Sequence, residues 1–376
     1  MTLKRSSVLD TKMIKEVTKL LKKETLSGFN AGIGPSYYGG PVVKKLEDKF
    51  KTYFKVRHAI SVNSWTSGLH IAVDSLDLQP GSEIICSPWS MSATVASIVN
   101  NGCVPVFADI DPNTFNIDPN EIEKKISKKT KAILYTDMYG QSCDVATISE
   151  IAKRHNLYTI SDGAQSIGSK VNESYTSTLA DIGGFSFNWH KHLHCGEGGM
   201  VITNNDSLAN KMKMLRNHAE THAYKFGNNF RMTEISAVLI LHQLPKLKNI
   251  IKKRNKIVNM LRSQTHSSVK FPIISKHNTH AYCSLPLLIE KIELRNMIFE
   301  KLAKIYPVNN TFSRGPLHLL KLCKPYYEQM PVAESIENHI IDLDLNYDYK
   351  TRDLQKIANI INTCLEKNIS KHDSAY

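Results

Sequence analysis

The sequence predicts an α/β protein: a large domain built on a mostly parallel, seven-stranded sheet, followed by a smaller α+β domain. Three observations predict it. Between residues 57 and 203, seven apolar β-type runs alternate with segments of helical period, the rhythm of strands joined by crossover helices. A basic helical stretch at 245–262 then ends that rhythm, and beyond residue 269 short strands and helices mix without it. A length of 376 residues with 41% apolar side chains is enough for one large core and one small one.

Taken in order, the N-terminal segment is rich in turn formers, with Gly28, Gly32, Gly34, Gly39 and Gly40, and is expected to lie over the site or across a partner subunit. The seven runs are 58–62, 83–87, 104–108, 131–136, 157–161, 183–187 and 200–203. A helix over 208–219 leads to a polar loop at 227–234 and a further helix through about residue 244. The basic helix that follows connects the large domain, 1–248, to the small one, 249–376. In the latter, strands are expected at 280–286 and 340–345 and helices at 291–305 and 352–365.

Composition narrows the class. No segment approaches the ~20 apolar residues of a membrane span, and no apolar signal core follows the first residues, so a cytoplasmic protein is expected. The seven cysteines are odd in number and widely spaced, which reads as reduced, mostly buried thiols. His190, His192, His194 and Cys195 alternate along one segment but cannot close a tetrahedron, so no metal is expected. The net charge of +13 is spread along helices such as 15–23 and 246–256, rather than gathered into a nucleic-acid footprint; it suits anionic, phosphate-bearing substrates.

In parallel sheets, ligands collect beyond the carboxyl ends of the strands. Thr66 and Ser67, Trp89 to Met91, Tyr139 to Gln141, Asp162 to Gln165 and Lys191 all fall there. A lysine, a carboxylate at a strand end and hydroxyls at a helix start are the parts that hold pyridoxal phosphate: an amine for the Schiff base, an anion for the ring nitrogen, and donors for the phosphate.

Several ordered stretches then carry a family resemblance: Val62-Asn-Ser-Trp-Thr-Ser-Gly-Leu69, Pro105-Val-Phe-Ala-Asp-Ile-Asp-Pro112, Tyr139-Gly-Gln141, Asp162-Gly-Ala-Gln165, Phe185-Ser-Phe187 with Lys191 and Gly196-Glu-Gly-Gly199, Arg216-Asn-His218, Asn229-Phe-Arg-Met-Thr-Glu234, Pro316-Leu-His318 and Pro331-Val-Ala-Glu334. Over nearly its whole length the chain resembles the nucleotide-sugar aminotransferases of the DegT/DnrJ type, a branch of the fold type I pyridoxal phosphate enzymes. The resemblance implies that Lys191 and Asp162 are catalytic, as the Schiff-base lysine and the partner of the ring nitrogen. It implies that Gln165 lies beside the ring hydroxyl, that Thr66, Ser67 and Ser186 hold the phosphate, and that Asn229 reaches the phosphate of a neighbouring subunit in a homodimer. Met91 takes the register of the residue stacking on the ring, with Trp89 two residues away; Trp89 and His318 are the expected substrate contacts.

The chain departs from the family pattern at Trp65, where glycine is usual, at Met91, at Asp137, where many relatives have histidine, and at Gly163, where alanine is usual. Relatives that dehydrate carry histidine at the lysine position; the spacing from Ser186 to Gly196 places Lys191 there. The implied reaction is ping-pong transfer of an amino group from an amino acid, L-glutamate being expected, to a keto-sugar nucleotide for surface-polysaccharide synthesis. A small phosphorylated ketone such as dihydroxyacetone phosphate, or an inosose, is the alternative acceptor. A non-catalytic, cofactor-binding regulator is the alternative outside enzymes.

Overall fold

The structure is a computed structural model describing residues 4, 7–24, 26–32, 34–220, 225–311 and 315–373, with side chains to residue 366. In chain order its strands are β1 (His58–Val62), β2 (Glu83–Cys86), β3 (Val104–Phe107), β4 (Thr130–Thr136), β5 (Tyr158–Asp162), β6 (Lys170–Val171), β7 (Ser174–Tyr175), β8 (Ile182–Ser186), β9 (Gly199–Thr203), β10 (Asn278–Thr279), β11 (Ser284–Leu288), β12 (Val308–Asn309) and β13 (Ile340–Asp344). The main sheet has seven strands in the order β1-β9-β8-β5-β4-β2-β3. All seven predicted runs are in it, each within a residue or so.

Strands β3, β2, β4, β5 and β8 are parallel, whereas β9 runs antiparallel to both β8 and β1. A parallel return needs a crossover, usually a helix. Residues 187–198 between β8 and β9 carry asparagine, three histidines and glycines instead, so the chain turns back as a loop. That loop holds Lys191.

Both faces of the sheet are covered, which is why its strands read as apolar runs rather than alternating ones. One face of β1, β2, β4, β5, β8 and β9 (Val62, Ile84, Leu134, Ile160, Ile182, Val201) packs with the helices Trp65–Asp74, Ser92–Val99 and Asp206–Arg216. The alternate residues Phe185, Met200 and Ile202 pack under Pro41–Phe54 and Glu234–Gln243. Ile85, Ile133 and Tyr135 pack with Val145–His155.

The helix Leu247–Gln264 links two cores. Leu247 and Ile251 belong to the second of these faces, while Ile257, Val258 and Leu261 pack with β11, β13 and the helices Ile292–Ala303 and Thr351–Asp373. β11, β13 and β12 form their own three-stranded sheet. Residues Leu317, Met330, Ala333 and Ile336 return to the large core, so packing does not divide the chain cleanly at one residue. Asp109, after β3, accepts from the Val332 and Ala333 amides at 2.8 and 3.0 Å and so caps the helix Pro331–Glu337.

The expected strand at 280–286 is displaced to Ser284–Leu288. Ahead of it, the Ala281 and Cys283 amides donate to the carbonyls of Gly140 and Tyr139 at 2.8 and 2.7 Å, and the His280 ring stacks on Tyr282 at 3.8 Å. No helix among the described residues is long and apolar enough to cross a membrane.

Candidate active site

The carboxyl ends of β1, β2, β5 and β8 open onto a cavity of about 600 Å³, lined on the far side by β11, β12 and β13. That volume lies in the ordinary range for cofactor and ligand sites, about 300–1,000 Å³. Thr66, Met91, Asp162, Gln165, Ser186 and Lys191 all line it, six residues singled out from the sequence and spread over 126 positions.

Asp162 ends β5 and is 4% exposed. Its Oδ1 accepts from the Trp65 indole N–H at 2.6 Å and from the Ala164 amide at 3.1 Å. Among the described residues Oδ2 has only the Thr94 hydroxyl, at 3.5 Å, so Oδ1 is anchored and Oδ2 keeps capacity to accept. Burial pushes the carboxyl pKa up; the amide of Ala164, the indole of Trp65, the charge of Lys191 and the Thr94 hydroxyl pull it back. A bound cation at Oδ2 would complete that balance.

Lys191 is half-buried on the cavity wall, with its amide donating to the Asn188 carbonyl at 2.9 Å. Among the described residues its ammonium has no hydrogen-bond or ion-pair partner. It also borders a second cavity of about 400 Å³, lined by Ser7 to Leu9, Arg254 and Asn346.

The helix Trp65–Asp74 starts at the cavity with Ser64 as its N-cap, accepting from the Ser67 amide at 3.1 Å. Thr66 is exposed there. Ser186, from the end of β8, accepts from the Asn188 amide at 3.3 Å. Gln165 is buried, and its Oε1 accepts from the Tyr139 amide at 2.9 Å. Met91 is 54% exposed at the mouth, before the helix Ser92–Val99.

Four expected residues are placed elsewhere. Ser67 is turned into the helix start, its hydroxyl donating to Asn63 Oδ1 at 2.7 Å, and Ser64 lines the cavity in its stead. Trp89 is 1% exposed in the core, donating to the Tyr139 hydroxyl at 3.1 Å, and it does not line the cavity. His318 is 1% exposed, held by Glu334 at 2.9 Å and edge-on to Phe107, and it does not reach the cavity either. Asn229 is exposed away from its own chain's cavity, its Oδ1 accepting from Arg231 Nε at 2.8 Å.

The departure at Asp137 also proves internal. Fully buried, it accepts from the Cys143 amide and the Ser166 and Thr176 hydroxyls at 2.9, 2.8 and 2.6 Å, fixing the turn in which Tyr139 and Gly140 take positive φ of 56° and 96°. The glycine-rich segment at 28–40 packs on Asn217, whose amide donates to the Asn30 and Tyr37 carbonyls at 2.9 and 3.0 Å; none of its described residues lines the cavity. Residues 312–314, just before the Pro316-Leu-His318 stretch, lie outside the described residues.

Sequence reasoning passed over Asn188 and Glu197, which bond each other at 2.8 Å on the cavity wall, and the far wall itself. There Asp342 and Asp344 share a face of β13 at i and i+2, a spacing visible in the sequence. Asp342 is 5% exposed, its Oδ1 finds no partner, and burial raises its pKa to about 7. Among the described residues no three His, Cys, Asp or Glu side chains converge on a metal site, and His192 instead donates to the Ala281 carbonyl at 2.9 Å.

The residues present fit pyridoxal phosphate: an unpartnered amine, a buried carboxylate with one oxygen weakly held, and a helix start with the exposed Thr66 share one cavity. Comparison with known proteins agrees. The family model described as the DegT/DnrJ/EryC1/StrS aminotransferase family matches residues 29–362. The chain is similar to GDP-perosamine synthase of Escherichia coli O157:H7, 34% identical over 306 residues covering 79% of this chain and 83% of the relative. It is also similar to the spore coat polysaccharide biosynthesis protein SpsC of Bacillus subtilis, 30% identical over 336 residues covering 84% and 82%. Among solved structures, Helicobacter pylori PseC, an aminotransferase involved in the biosynthesis of pseudoaminic acid, superposes with a TM-score of 0.87 at 25% identity, covering 98% of this chain and all of that one. The chain therefore belongs to the DegT/DnrJ/EryC1/StrS aminotransferases and is a pyridoxal phosphate-dependent transaminase.

Proposed function

We propose that this transaminase moves an amino group from L-glutamate to a keto-sugar carried on a nucleotide, in the cytoplasm and for surface polysaccharide. The names of the relatives support the acceptor class, and a cavity of about 600 Å³ leaves room beside a cofactor for a sugar ring. The basic charge of +13 suits a diphosphate-bearing acceptor.

One observation carries the assignment of roles: the unpartnered Lys191 amine and the open Oδ2 of Asp162 line the same cavity. Lys191 would supply the amine that anchors the cofactor, and its free amine would hold and move the proton at the substrate carbon. Pyridoxal phosphate, when bound, supplies an electron sink for the carbanion at that carbon. Asp162 holds the proton of the ring nitrogen through Oδ2, while Oδ1 keeps the carboxylate from turning. Ser64, Thr66 and Ser186, with the amides at the helix start, hold the phosphate, and Gln165 orients the ring hydroxyl. Met91 covers the ring from the mouth, where a thioether on an aromatic face contributes about 0.3–1.5 kcal/mol.

Asn229 serves the site of a second subunit in a homodimer, which its exposed position away from its own cavity supports. The catalytic part is residues 1–248, and 249–376 supply the far wall.

The acceptor is tested by loading the protein with amino groups from L-glutamate and then offering keto-sugar nucleotides, dihydroxyacetone phosphate and an inosose, with products read by mass spectrometry. Amination of a keto-sugar nucleotide is expected; amination of the small ketones alone would reject the acceptor class.

A further inference from the structure

We infer that Trp65 is a positioning residue for Asp162, seated in a slot that two glycines open for it. The inference rests on the reading of Asp162 as the partner of the cofactor's ring nitrogen. Tryptophan at the first turn of the helix Trp65–Asp74 puts a large side chain where the helix meets the end of β5, and its ring is 4% exposed. The space is specific. A Cβ at Gly184 would stand 2.0 Å from the ring and one at Gly68 2.5 Å from it, so any side chain at either place would displace the indole.

The slot also fixes where the indole N–H points. A buried tryptophan needs an acceptor for that group, and a backbone carbonyl would serve. Here it ends on Asp162 Oδ1 at 2.6 Å, the shortest contact of that carboxylate. With the Ala164 amide on the same oxygen, both directed donors are on Oδ1 and the cavity-facing Oδ2 keeps its lone pairs. A donor on a carboxylate favours its charged form, and this one opposes the burial that pushes the proton back on. Trp65 thus acts twice on the ring nitrogen's partner: it sets the angle of the carboxylate and helps to keep it an anion.

The test uses protein loaded with pyridoxal phosphate carrying ¹⁵N in the ring, with the nitrogen signal read by NMR across pH. Trp65→Phe keeps a buried ring and removes the donor. Its signal should move toward that of the unprotonated ring at a lower pH than in the parent. The half-reaction with L-glutamate should fall about 10- to 100-fold, the range for one hydrogen bond to a charged group. Asp162→Asn is the companion arm. If Asp162→Asn moves the signal and Trp65→Phe leaves it at the parent position, Trp65 is only a core residue and the inference falls while the site reading stands. If Asp162→Asn leaves the signal unmoved, the site reading itself falls. Should Trp65→Phe not fold, Gly68→Ala, whose Cβ would stand 2.5 Å from the indole and meet only side-chain atoms, pushes the indole off the carboxylate, and a parental signal from that variant overturns the inference in the same way.

Discussion

Asp342→Asn should make this protein more resistant to alkaline conditions than the parent. The carboxyl lies on the central strand of the small sheet at 5% exposure with Oδ1 unpartnered. Burial chiefly, and Asp344 in addition, raise its pKa from the ordinary 3.8 to about 7, against the pull of Ser284 and Asn309. A carboxyl whose pKa is raised on folding holds its proton in the native state and loses it in the unfolded chain, so native stability falls as pH rises from about 3.8 to about 7. At 1.36 kcal/mol per unit, that window bounds the loss at about 4 kcal/mol above pH 7. Asparagine keeps the shape and cannot ionise. In urea melts of the holoenzyme, the stability of the variant relative to the parent should rise by roughly 2–3 kcal/mol between pH 5 and pH 8. Stability differences that are equal at both pH values would refute the buried, ionising Asp342 on which this reasoning rests.

Three further outcomes are expected. Lys191→Ala should bind cofactor without the visible absorbance of the covalent complex and keep the parent's melting temperature within about a degree or two, since no native partner is lost; retained absorbance would remove Lys191 from its role. Asp162→Asn should hold the cofactor yet transfer protons orders of magnitude more slowly, and near-normal turnover would reject that residue's part. Glu234→Ala should cost roughly 2–4 kcal/mol by denaturant melts, because Glu234 is fully buried and accepts from the Val42 and Val43 amides at 2.8 and 3.3 Å at the start of Pro41–Phe54; a loss below about 0.5 kcal/mol would contradict the capping role.

The sheet was legible because strands covered on both faces must be apolar throughout, and the cavity was legible because parallel strands present their carboxyl ends together. Register alone misled at Trp89 and His318. Both follow motif positions, but both are buried outside the cavity, the Trp89 indole N–H bonded to Tyr139 and His318 Nε2 to Glu334. Motif residues can also be structural: Asp109 and Glu234 lie in stretches that resemble the family, and each caps a helix brought from a distant part of the chain. Gly163 looked like a small change, yet a Cβ there would stand 2.3 Å from Ser177 Oγ and 2.5 Å from the Gly184 carbonyl. Trp65 read only as a departure from the usual glycine, because one of the two glycines around its ring, Gly184, is remote in sequence. Asp342 was missed because a charged residue in a short strand reads as an edge position, and only the fold of the small sheet over the cavity buries it.

The central claim is that Lys191 and Asp162 make one transaminase site. It is tested most directly by the absorbance spectrum of the purified protein with pyridoxal phosphate, before and after L-glutamate is added. The account predicts a visible band from cofactor bound through Lys191 that gives way to the shorter-wavelength pyridoxamine form. A protein that takes up the cofactor with no visible band, or whose band no amino acid shifts, would contradict it.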